Sequence, residues 1–320
     1  MKTFQTPIAL KSFFRAIGNH SLALLVALST AIELRAAETG RTFATPEDAV
    51  AALVAAASAR DTNALHDIFG SSVTELQDPD PVQADNEHSA FAKALNQATR
   101  IERKSDSRCV LEVGDKRWPF PIPMVKKDGQ WFFDTEAGKE EVLNRRIGKN
   151  ELATLQALRA CVEAQREYSA TDHGDDILKF AQKFISSPGT EDGLYWPRDP
   201  DGEISPLGPL VANAQSLGYG HESQDPEPTH EPFHGYFFKI LTRQGKHAPG
   251  GKYNYIINGN MVAGFAFAAW PASYGQSGVM TFIVNQRGRV YQKDLGANTN
   301  RLAEEMKEYD PDTTWQVSPD

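Results

Sequence analysis

The 320-residue sequence contains only two cysteines, Cys109 and Cys161, and this scarcity narrows the chemistry open to the chain. Two cysteines cannot supply the paired thiolates of a four-cysteine zinc site, so that class of site is excluded. An oxidising compartment would permit one disulfide between them. Cys109 lies in a strand-like segment and Cys161 lies on the apolar side of a predicted helix, which favours two separately buried thiols.

The sequence also lacks the short motifs that bring catalytic groups together. Ser277 precedes Gly278 without the G-x-S-x-G pattern of a nucleophile elbow. The glycine-rich segment 245–251 lacks the spacing of a phosphate-binding P-loop. We therefore assign no catalytic residue and no cofactor from the sequence.

Basic side chains are outnumbered, with 33 Lys and Arg against 42 Asp and Glu, which gives a formal net charge of −9. A surface of this sign repels phosphate backbones and anionic lipids. Nucleic acid is therefore not expected as a partner.

No apolar run is long enough to cross a membrane, because Ser21 to Ile32 falls short of the roughly 20 residues that a spanning helix needs. Basic residues precede this run, at Lys2, Lys11 and Arg15, and the small residues Ala36 and Ala37 follow it. This order is typical of a secretory signal peptide over residues 1–37, cleaved near Ala36 or Ala37. We expect a periplasmic or secreted protein without a stable transmembrane segment after cleavage. A retained anchor is the alternative, because charged residues separate the apolar run from the cleavage site.

Residues 43–135 predict helices followed by strands. Thr45 and Pro46 are typical of a helix start, the acidic, proline-broken stretch from Gln77 to Glu87 indicates a loop, and Phe91 to Ala98 indicates a short helix. The predicted strands are Thr99 to Arg103, Cys109 to Val113, Arg117 to Val125 and Gln130 to Asp134. This order resembles NTF2-like domains, which implies helices packed on a curved antiparallel sheet.

A second design begins at Asn150. Leu155, Leu158 and Val162 recur at helical spacing and predict one apolar stripe on a helix. A linker helix is expected over residues 136–149, interrupted at Gly148. Further along, Asn258-Gly259 and Gln286-Arg287-Gly288 indicate hairpin turns.

The helix and the later strands over residues 150–310 resemble the headgroups of type IV pilins and pseudopilins, with a tail over 311–320. Strands such as Gly264 to Pro271 and the segment from Ser277 to Tyr291 carry this likeness. The resemblance implies a long helix packed on a second antiparallel sheet. The predicted fold class is α+β, in two domains.

Three strings, TPEDAV, WPFPIPMVKKDGQWFFDTEAGKEE and SGVMTFIVNQRGRVYQKDLG, are distributed along the chain between residues 45 and 296. With these strings the sequence resembles the exported bacterial family called domain of unknown function 2950. The resemblance implies an exported bacterial setting and supplies no catalytic residues.

Aromatic side chains are the candidates for ligand binding, because amphipathic rings offer large contact areas at low entropy cost. The candidate ligand-binding residues are Tyr195, Trp196, Trp118, His234 and Tyr236. Each could instead belong to a core.

The segment from His221 to His234 is the densest group of potential metal ligands. A weaker alternative is therefore a zinc site built from His221, His230 and His234. Its prolines predict an irregular, solvated loop, and on this ground no metal is assigned.

Together these features predict an exported cell-envelope protein that binds a peptide, glycan or protein partner without catalysis. The alternative is an exported hydrolase with a site near the loop from His221 to His234.

Overall fold

The structure, a computed structural model, describes residues 40–174, 176–197, 204–219 and 231–319. The predicted signal peptide lies outside these residues. Helices and several antiparallel sheets make up the described chain, so the predicted α+β class is confirmed.

The N-terminal half begins with helices and ends with strands. Its helices are α1 (Pro46–Ala59), α2 (Thr62–Phe69), a 3-10 helix (Ser71–Leu76) and α3 (Pro81–Gln97). Its strands are β1 (Thr99–Ser105), β2 (Arg108–Val113), β3 (Trp118–Pro119), β4 (Met124–Lys127) and β5 (Gln130–Phe133). As predicted, Thr45 caps α1 by accepting a hydrogen bond from the Asp48 N–H at 3.1 Å.

Helix α3 corrects one prediction. The stretch from Gln77 to Glu87 was expected to be a loop, but the helix already begins at Pro81. Asp80 caps it, and proline is tolerated at the first helical position because the N–H there has no partner within the helix. The proline that was interpreted as a loop signal is therefore a helix start.

The strands of this half form an antiparallel sheet in the order β1-β2-β4-β5, and β3 also pairs with β2. The hairpin between β4 and β5 turns at Asp128 and Gly129, which both have positive φ, as such two-residue turns require. Buried apolar side chains from the helices and the sheet form one core, which includes Leu53, Ile68, Leu111, Met124 and Phe133.

Helix α4 (Thr135–Tyr168) is continuous over 34 residues, so the predicted interruption at Gly148 is wrong. Glycine inside a helix costs only about 1 kcal/mol relative to alanine. Buried contacts on both sides of Gly148, made by Arg146 and Asn150, offset that cost. The predicted linker helix over 136–149 is the first part of α4.

The C-terminal half contains α5 (Gly208–Ser216) and α6 (Thr299–Glu305). Its strands are β6 (Tyr236–Leu241), β7 (Arg243–Gln244), β8 (Tyr253–Asn254), β9 (Ile256–Ile257), β10 (Asn260–Met261), β11 (Ala266–Pro271), β12 (Met280–Asn285), β13 (Tyr291–Asp294), β14 (Glu308–Tyr309) and β15 (Gln316–Val317). The main sheet has the order β15-β13-β12-β11-β6. Both predicted hairpin turns are present, between β9 and β10 and between β12 and β13.

A second core lies between α4 and this sheet. Leu155, Leu158 and Val162, the predicted apolar stripe, are buried in one cluster with Phe267 and Phe282. Helix α6 packs on β11.

Cys109 and Cys161 are both free and buried, one in each core, which confirms the preference for separate thiols. Burial raises the pKa of both thiols, that of Cys161 to about 12. A search of the described residues finds no helix with the length and apolar character to span a membrane.

Candidate functional site

The two halves meet at the start of α3, where the Asp80 carboxylate is fixed by its capping role. Its Oδ1 accepts a hydrogen bond from the Gln83 N–H at 3.0 Å. Its Oδ2 accepts one from the Tyr219 hydroxyl at 2.7 Å and one from the Gly235 N–H at 3.0 Å. Asp80 is fully buried, and a buried carboxylate is costly unless it is hydrogen-bonded. These donors satisfy it and tie α3 to the C-terminal half.

A second series of hydrogen bonds connects α3 to α4 and α4 to the C-terminal half. Gln83 Nε2 donates to Asn150 Oδ1 at 2.9 Å, and Asn150 Nδ2 donates to the Ser277 carbonyl at 2.9 Å. Gln83, Asn150 and Ser277 are all buried. These hydrogen bonds therefore link one half of the molecule to the other through α4.

His234 contacts two of these residues, Gln83 and Tyr219. Its Nδ1 lies 3.3 Å from Gln83 Oε1, and its backbone N–H donates to the Tyr219 hydroxyl at 3.2 Å. Since Gln83 Nε2 already faces acceptors, its Oε1 is the acceptor here and His234 Nδ1 carries the hydrogen. Burial lowers the pKa of His234; the Asp80 charge opposes this shift and the Lys149 charge adds to it.

Arg146 holds the chain that leads into α3. Its guanidinium donates to the carbonyls of Leu76 and Gln77, and its Nε lies 3.1 Å from Asp78 Oδ2. Both side chains of this ion pair are buried. We refer to the following residues as the junction network: Asp80, Gln83, Arg146, Asn150, Tyr219 and His234.

Tyr236, a predicted ligand-binding residue, is fully buried beside this network. Its hydroxyl donates to the Met280 carbonyl at 3.0 Å and lies 3.5 Å from Glu151 Oε1. Burial, reinforced by Glu151, raises the pKa of Tyr236. Its ring fills the space beside Gly278, where no Cβ would fit. Tyr236 is therefore a core residue.

The junction network contains a carboxylate, an imidazole and a phenol, which are groups used in acid-base catalysis. Burial and the hydrogen bond to Asp80 raise the pKa of Tyr219, so its hydroxyl remains a donor. Both Asp80 oxygens accept hydrogen bonds from protein groups. The arrangement is suited to holding the two halves together.

Residues 230–234 read His-Glu-Pro-Phe-His, which matches the H-E-x-x-H spacing of a zinc-binding helix. Zinc binding by that motif needs both histidines on one helical face. Here Phe233 forms an isolated bridge with Tyr236, and His234 has a positive φ of 51°, so the described part is not helical. His221 and His230 lie outside the described residues. Within the described ranges no three or more His, Cys, Asp or Glu side chains are placed to hold a metal ion.

Trp118 lies on the surface of the N-terminal half. All five tryptophans are described, and among them only Trp118 is strongly exposed, at 44%. The Arg145 guanidinium lies 4.9 Å from its ring centroid. Arg145 is held by Glu141 at 2.7 Å and donates to the Pro119 carbonyl at 2.8 Å. The cation is thus fixed over the exposed ring.

Tyr195 and Trp196 are partly buried and pack against the C-terminal core. The Trp196 ring makes an edge contact with His173 at 5.8 Å between ring centroids. His173 in turn stacks on Tyr168 at 3.9 Å. Tyr195 and Trp196 therefore pack at the edge of the core and do not line an open groove.

The five predicted ligand-binding residues therefore lie in three places. His234 and Tyr236 are at the junction, Tyr195 and Trp196 are near the end of α4, and Trp118 is near its start. Arg145 contacts Trp118 and Tyr168 lies near Trp196; these positions on α4 are about 35 Å apart at the rise of an α-helix. The structure does not bring the five into one groove.

Sequence reasoning missed most of the junction network. For Asp80 a local signal exists, because an acidic residue directly before a proline is typical of a helix N-terminus. Gln83, Asn150 and Tyr219 carry no such signal, since their partners are far away in the sequence.

The profile of the family described as protein of unknown function, DUF2950, matches residues 40–318. The chain belongs to this family. The DUF2950 match confirms the resemblance predicted from the sequence and spans both cores and the junction network. No curated protein and no solved structure matches the chain.

Proposed function

We propose that this DUF2950 protein is an exported cell-envelope module that binds a peptide, glycan or protein partner without catalysing a reaction. The observation that carries the proposal is the exposed Trp118 ring with Arg145 fixed over it. An exposed aromatic ring provides stacking area for sugars and peptides, and an arginine beside it adds directed donors. Trp118 is the proposed anchor.

A fixed platform binds more tightly because less freedom is lost on association. Arg145 lies on α4, the helix that runs into the second core. The junction network further joins that helix to α3 and to the C-terminal half. This rigidity supports a binding or assembly role.

The polar groups of the junction network support the absence of catalysis. Both Asp80 oxygens and the Tyr219 hydroxyl form hydrogen bonds with protein groups, whereas a general base must reach a substrate proton. The resemblances to NTF2-like domains and pilin headgroups are part of this proposal for the fold. The NTF2-like class includes enzymes as well as many non-enzymes, so the proposed absence of catalysis does not rest on it.

Export rests on the signal-like residues 1–37. Expression of the full chain in a bacterium should yield a mature protein in the periplasm or medium. Its N-terminus, determined by mass spectrometry, should follow Ala36 or Ala37. An uncleaved chain in the membrane fraction would support the retained anchor.

Calorimetric titration tests the binding role. The probes are soluble peptidoglycan fragments, peptide-free glycan strands and free stem peptides, so the arms separate glycan from peptide recognition. Trp118→Ala should weaken binding at least about tenfold, or 1.4 kcal/mol. Trp315→Ala is the matched control, because Trp315 also lies under a cation, Lys293 at 5.8 Å. Equal binding by wild type and Trp118→Ala would remove Trp118 as the anchor.

The exported hydrolase is a second candidate, because His234 lies at the junction near the Asp80 charge and its pKa is lowered. Zinc analysis of the purified protein and assays with ester, peptide and glycoside substrates test it. Stoichiometric zinc, or hydrolysis that His234→Gln abolishes, would favour this candidate over the first.

A further inference from the structure

An open apolar groove of about 750 Å³ lies between α1 and β1 in the N-terminal half. Val50 and Val54 of α1 and Ile101 of β1 contribute its apolar lining. Ala51 and Ala55 are exposed and line it with methyl groups only, so this part of the groove is shallow. The groove is separate from the junction network and from Trp118.

Strand β1 is at one end of its sheet, and in the described chain only β2 pairs with it. The other side of a terminal strand presents backbone N–H and C=O groups that can pair with an added strand. Side chains of an added strand alternate between two faces, so every second one would point toward the groove. An extended peptide fits both features.

The charge along this edge differs from that of the whole chain. From Thr99 to Arg108 there are four basic and two acidic side chains, whereas acidic residues outnumber basic ones in the full sequence. Arg100 and Glu47 both line the groove. Arg100 lies 3.8 Å from Glu112, and Arg103 forms an ion pair with Glu47 at 3.1 Å. The Arg100 side chain is more than half exposed and its contact with Glu112 is long, so this pair is weak and a ligand carboxylate can replace Glu112.

We propose that the β1 edge and the adjoining groove bind an extended acidic peptide as an additional antiparallel or parallel strand. Backbone hydrogen bonds to β1 supply affinity and aliphatic side chains enter the groove. The carboxylates, which alternate with them on the opposite face of the added strand, meet Arg100. This surface is separate from the binding site proposed at Trp118, and the test below does not change Trp118.

The test uses a short fluorescein-labelled peptide that alternates glutamate and valine, with fluorescence anisotropy as the readout. The full chain should bind it, and Ala55→Trp or Ala51→Trp, which fill the groove from exposed positions, should raise Kd at least about tenfold. Ala90→Trp is the matched control, because Ala90 is an exposed alanine on α3 outside the groove. Circular dichroism checks that each variant is folded.

Two altered peptides sharpen the result. A peptide that alternates lysine and valine should bind at least about tenfold more weakly, and so should the glutamate peptide with methylated backbone nitrogens, which cannot pair with β1. The proposal is overturned by absent binding, by equal binding of either altered peptide, or by wild-type affinity in both groove-filling variants. A wild-type dimer that Ala55→Trp dissociates would assign the groove to a second copy and would also overturn it.

Discussion

The two five-stranded sheets of the described chain are buried to different extents. In the C-terminal half every residue of β11 is buried, and both α4 and α6 contact this strand. In the N-terminal half β2 alternates between buried and more accessible residues, and β1 has no buried residue. A two-sided cover produces a continuous apolar strand, and a one-sided cover produces alternation.

This difference suits the more buried C-terminal sheet to stabilising the fold and the more accessible N-terminal half to binding a partner. The central strands β11 and β12 of the C-terminal sheet offer a partner almost no accessible surface, whereas the N-terminal half exposes Trp118 and the β1 edge. Both proposed partner surfaces therefore lie in the half with the more open sheet. The junction network links that half to the C-terminal half through hydrogen bonds.

The largest expected effect on stability is in the C-terminal sheet. Phe267→Ala removes a fully buried ring from β11 and should lower the free energy of unfolding by about 3–5 kcal/mol. Urea unfolding followed by circular dichroism measures it. Ile101→Ala on the partly exposed β1 is the control, and equal losses in the two variants would contradict the comparison.

The next effect is at the junction. Asp80→Ala removes a helix cap and leaves the Tyr219 hydroxyl and the Gly235 N–H without their acceptor, so stability should fall by about 2–4 kcal/mol. Asp61→Ala is a matched control, because Asp61 caps α2 through the Ala64 N–H at 3.0 Å but is exposed. It should lose only about 1 kcal/mol. Equal losses would show that Asp80 acts as a cap alone.

A smaller effect should depend on pH. Because the folded state lowers the pKa of His234, the unfolded chain binds more protons near the ordinary histidine pKa of about 6.5. Stability from this group is thus fully present above that pH and falls as the pH drops through it. His234→Gln should reduce the loss of stability between neutral and mildly acidic pH in thermal unfolding. An unchanged pH dependence would remove His234 as its source.

The smallest effect is expected at the open surface. Trp118→Ala should cost only about 0.5–1 kcal/mol of stability, the value of an exposed cation–π contact. Thermal unfolding measures it beside the binding titration. A loss as large as that of Phe267→Ala would place Trp118 in the fold and not in recognition.

Local features of this fold could be predicted from the sequence. Asn258-Gly259 specified a turn because both residues adopt positive φ, and the stripe from Leu155 to Val162 specified the buried face of α4. Such patterns report on backbone preferences within a few residues. Gly148 was misinterpreted because its helical cost is smaller than the packing on either side of it.

The junction could not be predicted in the same way. Asp80 and Tyr219 are 139 residues apart, and their contact exists only after α3, α4 and the segment before β6 have come together. The exposure of Trp118 could not be predicted either. The residues next to it in the sequence do not distinguish it from Trp131, which is buried. Exposure is a property of the assembled fold.

The central claim is that the junction network couples the two cores into one cooperative unit, and the two cysteines report on it directly. Cys109 lies in one core and Cys161 in the other, both buried. Thiol labelling across a urea titration, with the modified cysteine identified by mass spectrometry, gives an unfolding midpoint for each core. Coincident midpoints in wild type that separate in Asp80→Ala are the predicted result. Midpoints that already differ in wild type would contradict the claim.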